Sequence, residues 1–363
     1  MSSTPATQEP WSLAGKTAIV TGASRGIGQA TAFHLARKGL SKLAITYASN
    51  SDAAQKTLDE CRELGVETAI AIQADALDPT FGPKIVSQTL QQLSTASIDI
   101  LVNNAVLSDY SKVQPIKDTT LPVFLQVMQA NVFAPISLTA AVIPHLPSQG
   151  GGRVIAISSV LAYQANSDPT MTYGASKAAL QSYTRSLAEA FGKTTKATFN
   201  SVVVGLTATD AIKNSQDLLP AGYLDEQIRD TTAADRIGVP EDIAYVVGFL
   251  ASEEGRWVNG GAVSANGGNR LVMAALGYSD HDTAMISMET PCRKDRIEEC
   301  MSNIKPFNSI PVTSQQASVW VDGSGQTGWV VEWLKVNNQI TPTAYSTTDY
   351  EFEFDSQQVH QEM

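Results

Sequence analysis

From Lys16 onward two patterns of apolar and polar positions take turns along the chain. Short β-rich runs, TAIV, KLAITY, IDILV and RVIAIS among them, are separated by longer stretches with apolar residues at helical spacing. The repetition predicts βα units, and parallel strands joined by crossover helices make a sheet covered on both faces. The runs place strands near residues 17–21, 43–47, 68–73, 98–102, 153–158, 198–204 and 261–264. Between them GIGQATAFHLARKG and SDAAQKTLDECRELG read as amphipathic helices, closed by Gly39 and Gly65 where a left-handed residue ends a helix. His34, set among apolar neighbours in the first of these, reads as a helix-face residue rather than a ligand.

After NGGNR at 266–270 the βα rhythm stops, and Ser, Thr, Asn and Gln cluster. The pattern divides the chain into a disordered leader (1–12), an α/β domain (13–270), a small satellite unit (271–336) and an acidic, polar tail (337–363) expected to be mostly unfolded. In the satellite, RKDRIEECMSNI sets Ile297, Cys300, Met301 and Ile304 on one helical face, and SVWVDGSGQTGWVVEWLKV predicts two strands around a Gly-rich turn.

Composition narrows the partners. The 363 residues carry a formal net charge of −11 and no Lys/Arg cluster, which argues against nucleic acid or an anionic membrane surface and for a small-molecule ligand. Cys61, Cys292 and Cys300 are widely spaced with no C-x-x-C pair, so neither a disulfide framework nor a zinc site is indicated, and reduced thiols are expected. No run of about 18 consecutive apolar residues occurs, and the N-terminus has neither a basic start nor an apolar core. The expected location is cytoplasmic.

Two stretches suggest chemistry. TGASRGIGQA follows the first strand and leads into a helix; Gly22, Gly26 and Gly28 let the backbone turn sharply, while free helix N–H groups and the dipole offer a site for a diphosphate. The spacing G-x-x-x-G-x-G differs from the usual G-x-G-x-x-G, and a tight βα connection is the alternative. Ser24, Arg25 and Ile27 complete this turn. At the end of strand two, TYASNS (46–51) with Tyr47 and Ser49 is neutral, where a carboxylate would read a free ribose 2′-hydroxyl; together with Arg25 this favours NADP(H). Asp75, after the third strand, is placed either to hold the adenine amino group or to cap the next helix.

The second stretch is MTYGASKAALQSYTRSLAEAF (171–191). Tyr173 and Lys177 lie one helical turn apart, so their side chains share a face. A phenol with pKa about 10 exchanges protons poorly near neutrality, but an ammonium roughly 4 Å away in a half-dry cleft supplies about 4 kcal/mol, or about three pKa units. Taken alone, the same spacing also occurs by chance on amphipathic helices.

With these motifs in order the chain resembles the short-chain dehydrogenase/reductase family over about residues 13–270. The resemblance rests on TGASRGIG, NNA (103–105), QANVFAP around Asn131, VIAISS ending in Ser159, YGASK (173–177), RIGVPEDIA (236–244) and NGG (266–268). It implies a doubly wound, seven-stranded Rossmann-like domain with helices on both faces that assembles as a homodimer or homotetramer, here with a C-terminal extension. Carried over position by position, the family's catalytic tetrad falls on Asn131, Ser159, Tyr173 and Lys177. Tyr173 would exchange the proton at the carbonyl oxygen and Ser159 would orient that oxygen. Lys177 would lower the phenol pKa and hold the nicotinamide ribose, while Asn131 would order a proton-relaying water. Asn104, Thr207 and Thr209 join the cofactor-binding set. The chain departs from the family at Val106, where glycine is usual, at Val204-Gly205 in place of Pro-Gly, and in its long C-terminal addition. The interval from Ser159 to Tyr173 is also about one residue longer than in many members.

The resemblance places the pocket walls in VLSDYSK, VLAYQANSDP and LTATDAIKNSQDLLPAGYLDEQIRD. Tyr110, Tyr163 and Tyr223 with several leucines suggest a moderately apolar carbonyl or alcohol, aromatic or polyketide-like; packing at loop bases is the alternative. The expected function is NADP(H)-dependent interconversion of a carbonyl and an alcohol. A non-catalytic NADP(H)-binding sensor or scaffold, and a non-redox dehydratase, epimerase or cyclase, stand as rivals.

Overall fold

The computed structural model describes residues 11–107, 114–213, 222–269, 332–336 and 339–343. The chain divides into two compact units, Met1–Thr283 and Ala284–Met363. In the first, strands β1 (Thr17–Val20), β2 (Lys42–Tyr47), β3 (Thr68–Gln73), β4 (Ile100–Asn103), β5 (Arg153–Ser159), β6 (Thr198–Val204) and β7 (Ala262–Ala265) form one parallel sheet in the order β3-β2-β1-β4-β5-β6-β7. Each of the seven runs expected from the sequence forms a strand, with ends shifted by a residue or two.

Alternation along the strands splits the core into two layers. Ala18 and Val20, Leu43 and Ile45, Ile100 and Val102, and Ile155 and Ile157 face one cluster; the intervening Ile19, Ala44, Leu101 and Val154 face the other. The first layer is covered by α1 (Gly26–Arg37), α2 (Ser51–Glu63) and α9 (Pro240–Ala251), and the second by α3 (Phe81–Gln92), α5 (Ala134–Val142) and α6 (Met171–Thr195). Both faces are dry, as near-continuous apolar strands require. Gly39 and Gly65 close α1 and α2 with φ of +83° and +103°.

Helix α4 (Leu121–Met128) runs through a π-helical turn, Gln129–Phe133, into α5. The stretch Leu121–His145 is long and apolar enough to span a bilayer, yet half of it is buried within this fold. Helices α7 (Asp210–Lys213) and α8 (Tyr223–Asp230) lie between β6 and α9. The two ends of that excursion are held by pairing of Thr207 with Gly238, with Ala208 N–H donating to the Gly238 carbonyl at 2.8 Å.

In the second unit β8 (Glu332–Val336) pairs antiparallel with β9 (Gln339–Thr343). Strand β9 falls inside the tail expected to be mostly unfolded. The helix through Ile297, Cys300, Met301 and Ile304, and the turn of Gly residues before β8, lie outside the described residues.

His34 is buried at 6% exposure on α1, edge-on to Tyr245 of α9 with ring centroids 5.1 Å apart. Gly248 of α9 makes room for it: a β-carbon there would collide with the imidazole. Burial, with Lys38 and Arg37 adding positive charge, depresses its pKa from 6.5 to about 4. The folded state therefore favours the neutral ring, so the stability it permits is present above pH 6.5 and is lost as pH falls toward 4. Stability to urea is expected to drop by about 2 kcal/mol from this group between pH 7 and pH 5. His34→Leu should remove that part of the drop; an unchanged pH dependence in the variant would contradict it.

Candidate active site

The order of strands reverses between β1 and β4, the switch point where loops leaving the C-terminal ends of parallel strands diverge and ligands bind in open α/β sheets. Thr21 stitches the two sides together. Its N–H donates to the Val102 carbonyl at 3.0 Å, and its hydroxyl accepts the N–H groups of Asn104 and Ala105, each at 2.9 Å. The Asn104 amide donates in turn to the carbonyls of Thr21 (2.9 Å) and Gly22 (3.1 Å). Gly28 lies so close beneath that a β-carbon would stand 2.5 Å from both Asn104 Nδ2 and the Gly22 carbonyl.

Gly22 and Gly26 have φ of +63° and +58°, the left-handed region that side chains disfavour. They turn the chain into α1, whose first turn contains no acidic residue. Arg25 is exposed at the N-cap, Ser24 is half-buried, and Ile27 packs against the core. Thr209, arriving from beyond β6, stands against Gly26: its methyl would lie 3.4 Å from a β-carbon there. Thr207 is buried and donates its hydroxyl to the Gly205 carbonyl at 3.1 Å.

At the end of β2, Tyr47 is half-buried and Ser49 exposed, while Asn50 caps α2 by accepting Ala53 N–H at 2.9 Å. Asp75 is exposed and accepts Leu77 N–H at 2.9 Å. It does not cap the next helix, since α3 begins only at Phe81.

The second half of the site gathers at the C-terminal end of β5. Ser159 ends the strand and accepts Leu161 N–H at 3.2 Å, which leaves its own O–H as a donor. Its neighbour Ser158 accepts from Gln181 Nε2 at 2.7 Å inside the fold. Tyr173, in the first turn of α6, is half-buried. Lys177 lies one turn on, 3% exposed, with its Nζ 5.7 Å from the Tyr173 ring centroid and donating to the Ile157 carbonyl at 2.9 Å. Burial lowers its pKa from 10.5 to about 8, so it still carries its charge at neutrality. Asn131, in the π-helical turn, accepts Leu107 N–H at 2.8 Å and donates to the Leu107 carbonyl (3.3 Å) and to Ser176 Oγ (3.2 Å).

The loop between Ser159 and α6 is held at both ends. Asn166 donates to the Leu161 carbonyl at 2.8 Å and packs where Gly174 has no side chain, and Asp168 accepts Ile116 N–H at 2.8 Å. Of the three pocket tyrosines, Tyr163 is 40% exposed and Tyr223 half-buried, while Tyr110 lies outside the described residues. Parts of the first and third of the pocket-wall segments, at 108–113 and 214–221, share that position. Val106, also 40% exposed, presents an apolar side chain on the loop after β4. The sequence reading missed Ser176, Asn166 and Gly174; the small residues within YGASK were the available signal.

A family profile described as short chain dehydrogenase matches residues 16–218. The chain belongs to the short-chain dehydrogenase family. A short chain dehydrogenase of Emericella nidulans, asqE, is 60% identical over 270 residues, 74% of this chain and 99% of the relative. The enzyme penD of Penicillium thymicola is 56% identical, covering 76% and 99%. About a quarter of this chain thus lies outside these alignments. Among solved structures, a short chain dehydrogenase from Burkholderia cenocepacia J2315 in complex with NADP aligns with TM-score 0.62 and 34% identity over 71% of this chain and 98% of that one.

The buried lysine predicts a trade between stability and chemistry. Because the folded state favours neutral Lys177, stability falls as pH drops from 10.5 through about 8 and is flat below, a loss on the order of 3 kcal/mol at neutrality. Lys177→Met removes the charge and leaves the Ile157 carbonyl short of one donor, at about 1 kcal/mol. Urea unfolding at pH 7 should therefore show the variant equal to or more stable than the wild type. A clear loss of stability would contradict this account of the site.

Proposed function

We propose that this short-chain dehydrogenase is an NADP(H)-dependent reductase of a moderately apolar carbonyl compound, aromatic or polyketide-like. The observation that carries the reading is the charged, buried Lys177 held beside Tyr173 and against β5.

The residues present fit the cofactor. Gly22, Gly26 and Gly28 keep side chains out of the approach to the helix N-terminus, and the absence of acid from that turn suits a diphosphate. At the ribose end Ser49 and Arg25 are exposed, no carboxylate stands among residues 46–51, and Asn50 is occupied in capping α2. That set favours a 2′-phosphate over a free 2′-hydroxyl. Asp75 is assigned to the adenine end, Thr207 and Thr209 to the carboxamide and phosphates, and Asn104 to the cofactor-binding set. The Burkholderia structure contains NADP, and a blue fluorescent protein from a metagenomic library, 34% identical, contains NADPH.

When bound, NADPH supplies the hydride. Tyr173 delivers its phenolic proton to the carbonyl oxygen that becomes the alcohol, and Ser159 donates a hydrogen bond to the same oxygen as charge develops on it. Lys177 stabilises the phenolate left behind, and its dry surroundings strengthen that attraction. Asn131 positions the loop at Leu107 and, through water, the proton path to Lys177.

For the substrate, the exposed apolar Val106 and Tyr163 support a flat apolar partner. Relatives at 35% and 34% identity are a versicolorin reductase of Emericella nidulans and a probable tetrahydroxynaphthalene reductase of Zymoseptoria tritici. The exposed apolar residues Leu121, Phe124, Leu125 and Phe133 support a homodimer or homotetramer. Cys61, a buried free thiol pushed up to about 12 by burial, suits a reducing, cytoplasmic setting.

The test is Tyr173→Phe. It should lower kcat for NADPH-dependent ketone reduction by at least about a hundredfold, the scale of general acid catalysis, while the Kd for NADPH stays within a few-fold. Wild-type kcat should fall as pH rises through about 8, where Lys177 loses its charge. Unchanged turnover in Tyr173→Phe would refute the mechanism.

A further inference from the structure

Ser176 links two parts of the site that the chain brings together from far apart. It is fully buried at 0% exposure and carries one proton. That proton goes to the Tyr173 carbonyl at 2.6 Å. Its oxygen must therefore accept from its other neighbour, the Asn131 amide at 3.2 Å. An amide offers a donor and an acceptor end, and Ser176 and the Leu107 backbone require the same orientation of it. Nδ2 of Asn131 is directed to Ser176, which leaves Oδ1 to accept Leu107 N–H at 2.8 Å. Without the hydroxyl, the remaining partner of Nδ2 among the described residues is the Leu107 carbonyl at 3.3 Å.

We propose that Ser176 is a positioning residue that holds the Nδ2 end of the Asn131 amide and thereby couples the loop after β4 to the helical turn carrying Tyr173. The chain of bonds runs from the Leu107 backbone through the Asn131 amide and the Ser176 hydroxyl to the Tyr173 carbonyl. One turn further on, Lys177 is anchored to β5. A serine bonded only to the carbonyl three residues back is an ordinary helix feature and would do no more than satisfy itself. The bond received from Asn131 is what ties the π-helical turn to α6. The inference rests on the assignment of Tyr173 as proton donor.

The test compares Ser176→Ala, Asn131→Ala, the double variant and Ser176→Cys in the full chain. Hydrogen exchange at Leu107 N–H is read first, because it needs no turnover. Ser176→Ala should speed that exchange by about five- to tenfold, the worth of one hydrogen bond, with Ser176→Cys intermediate. Turnover is then followed by NADPH oxidation with α-tetralone and 9,10-phenanthrenequinone as probe ketones. Ser176→Ala should lower kcat about five- to tenfold with KM for NADPH nearly unchanged, and the double variant should be no slower than Asn131→Ala alone. Unchanged protection of Leu107 in Ser176→Ala overturns the proposal, as do kcat losses that simply add. A wild type that binds NADPH but reduces no ketone contradicts the reductase reading instead, and the Leu107 exchange then decides this one by itself.

Discussion

The site depends on one buried positive charge. Lys177 sits 3% exposed, bonded to a strand carbonyl, in a place where the neutral amine would be more comfortable. Holding an ammonium there costs stability. The parallel sheet delivers the Ile157 carbonyl and Ser159 from one strand, and α6 delivers Tyr173 and Lys177 from one face. The doubly covered sheet supplies the rigidity, since β5 and β6 are buried along their full length. In the proposed mechanism this charge stabilises the phenolate of Tyr173, an attraction that dry surroundings strengthen.

The sheet was legible because the strands of a doubly covered parallel sheet are apolar on both faces and so stand out as short continuous runs. The glycine turn was legible because positive φ at Gly22 and Gly26 restricts what can occupy those positions. Tyr173 and Lys177 were legible as a pair because helical geometry fixes what one turn brings together. What the sequence hid were contacts between distant segments. Nothing in the spacing reveals that Ser176 receives a bond from Asn131, or that Asn166 needs the missing side chain of Gly174. The π-helical turn that aims Asn131 has no period of its own to detect, and β9, QITPT, carries one large apolar residue and a proline, too little alternation to announce the partner of β8.

Two departures from the family acquire different physical meanings. Val204 replaces a proline and is buried within β6, paired with Ser159 on one side and Ala265 on the other, so it simply extends the ladder by one residue. Val106 is 40% exposed between two anchored neighbours, Ala105 on Thr21 and Leu107 on Asn131. Its apolar surface is therefore presented between two fixed backbone positions.

The most direct measurement of the central claim is the absorbance of NADPH, set beside that of NADH, on adding the purified wild-type protein to a panel of aromatic and aliphatic ketones at neutral pH. The account predicts consumption of NADPH in clear preference to NADH, with the aromatic ketones turned over faster. Tight NADPH binding without consumption across the panel would contradict a reductase and point to a protein that holds the cofactor without using it for this chemistry.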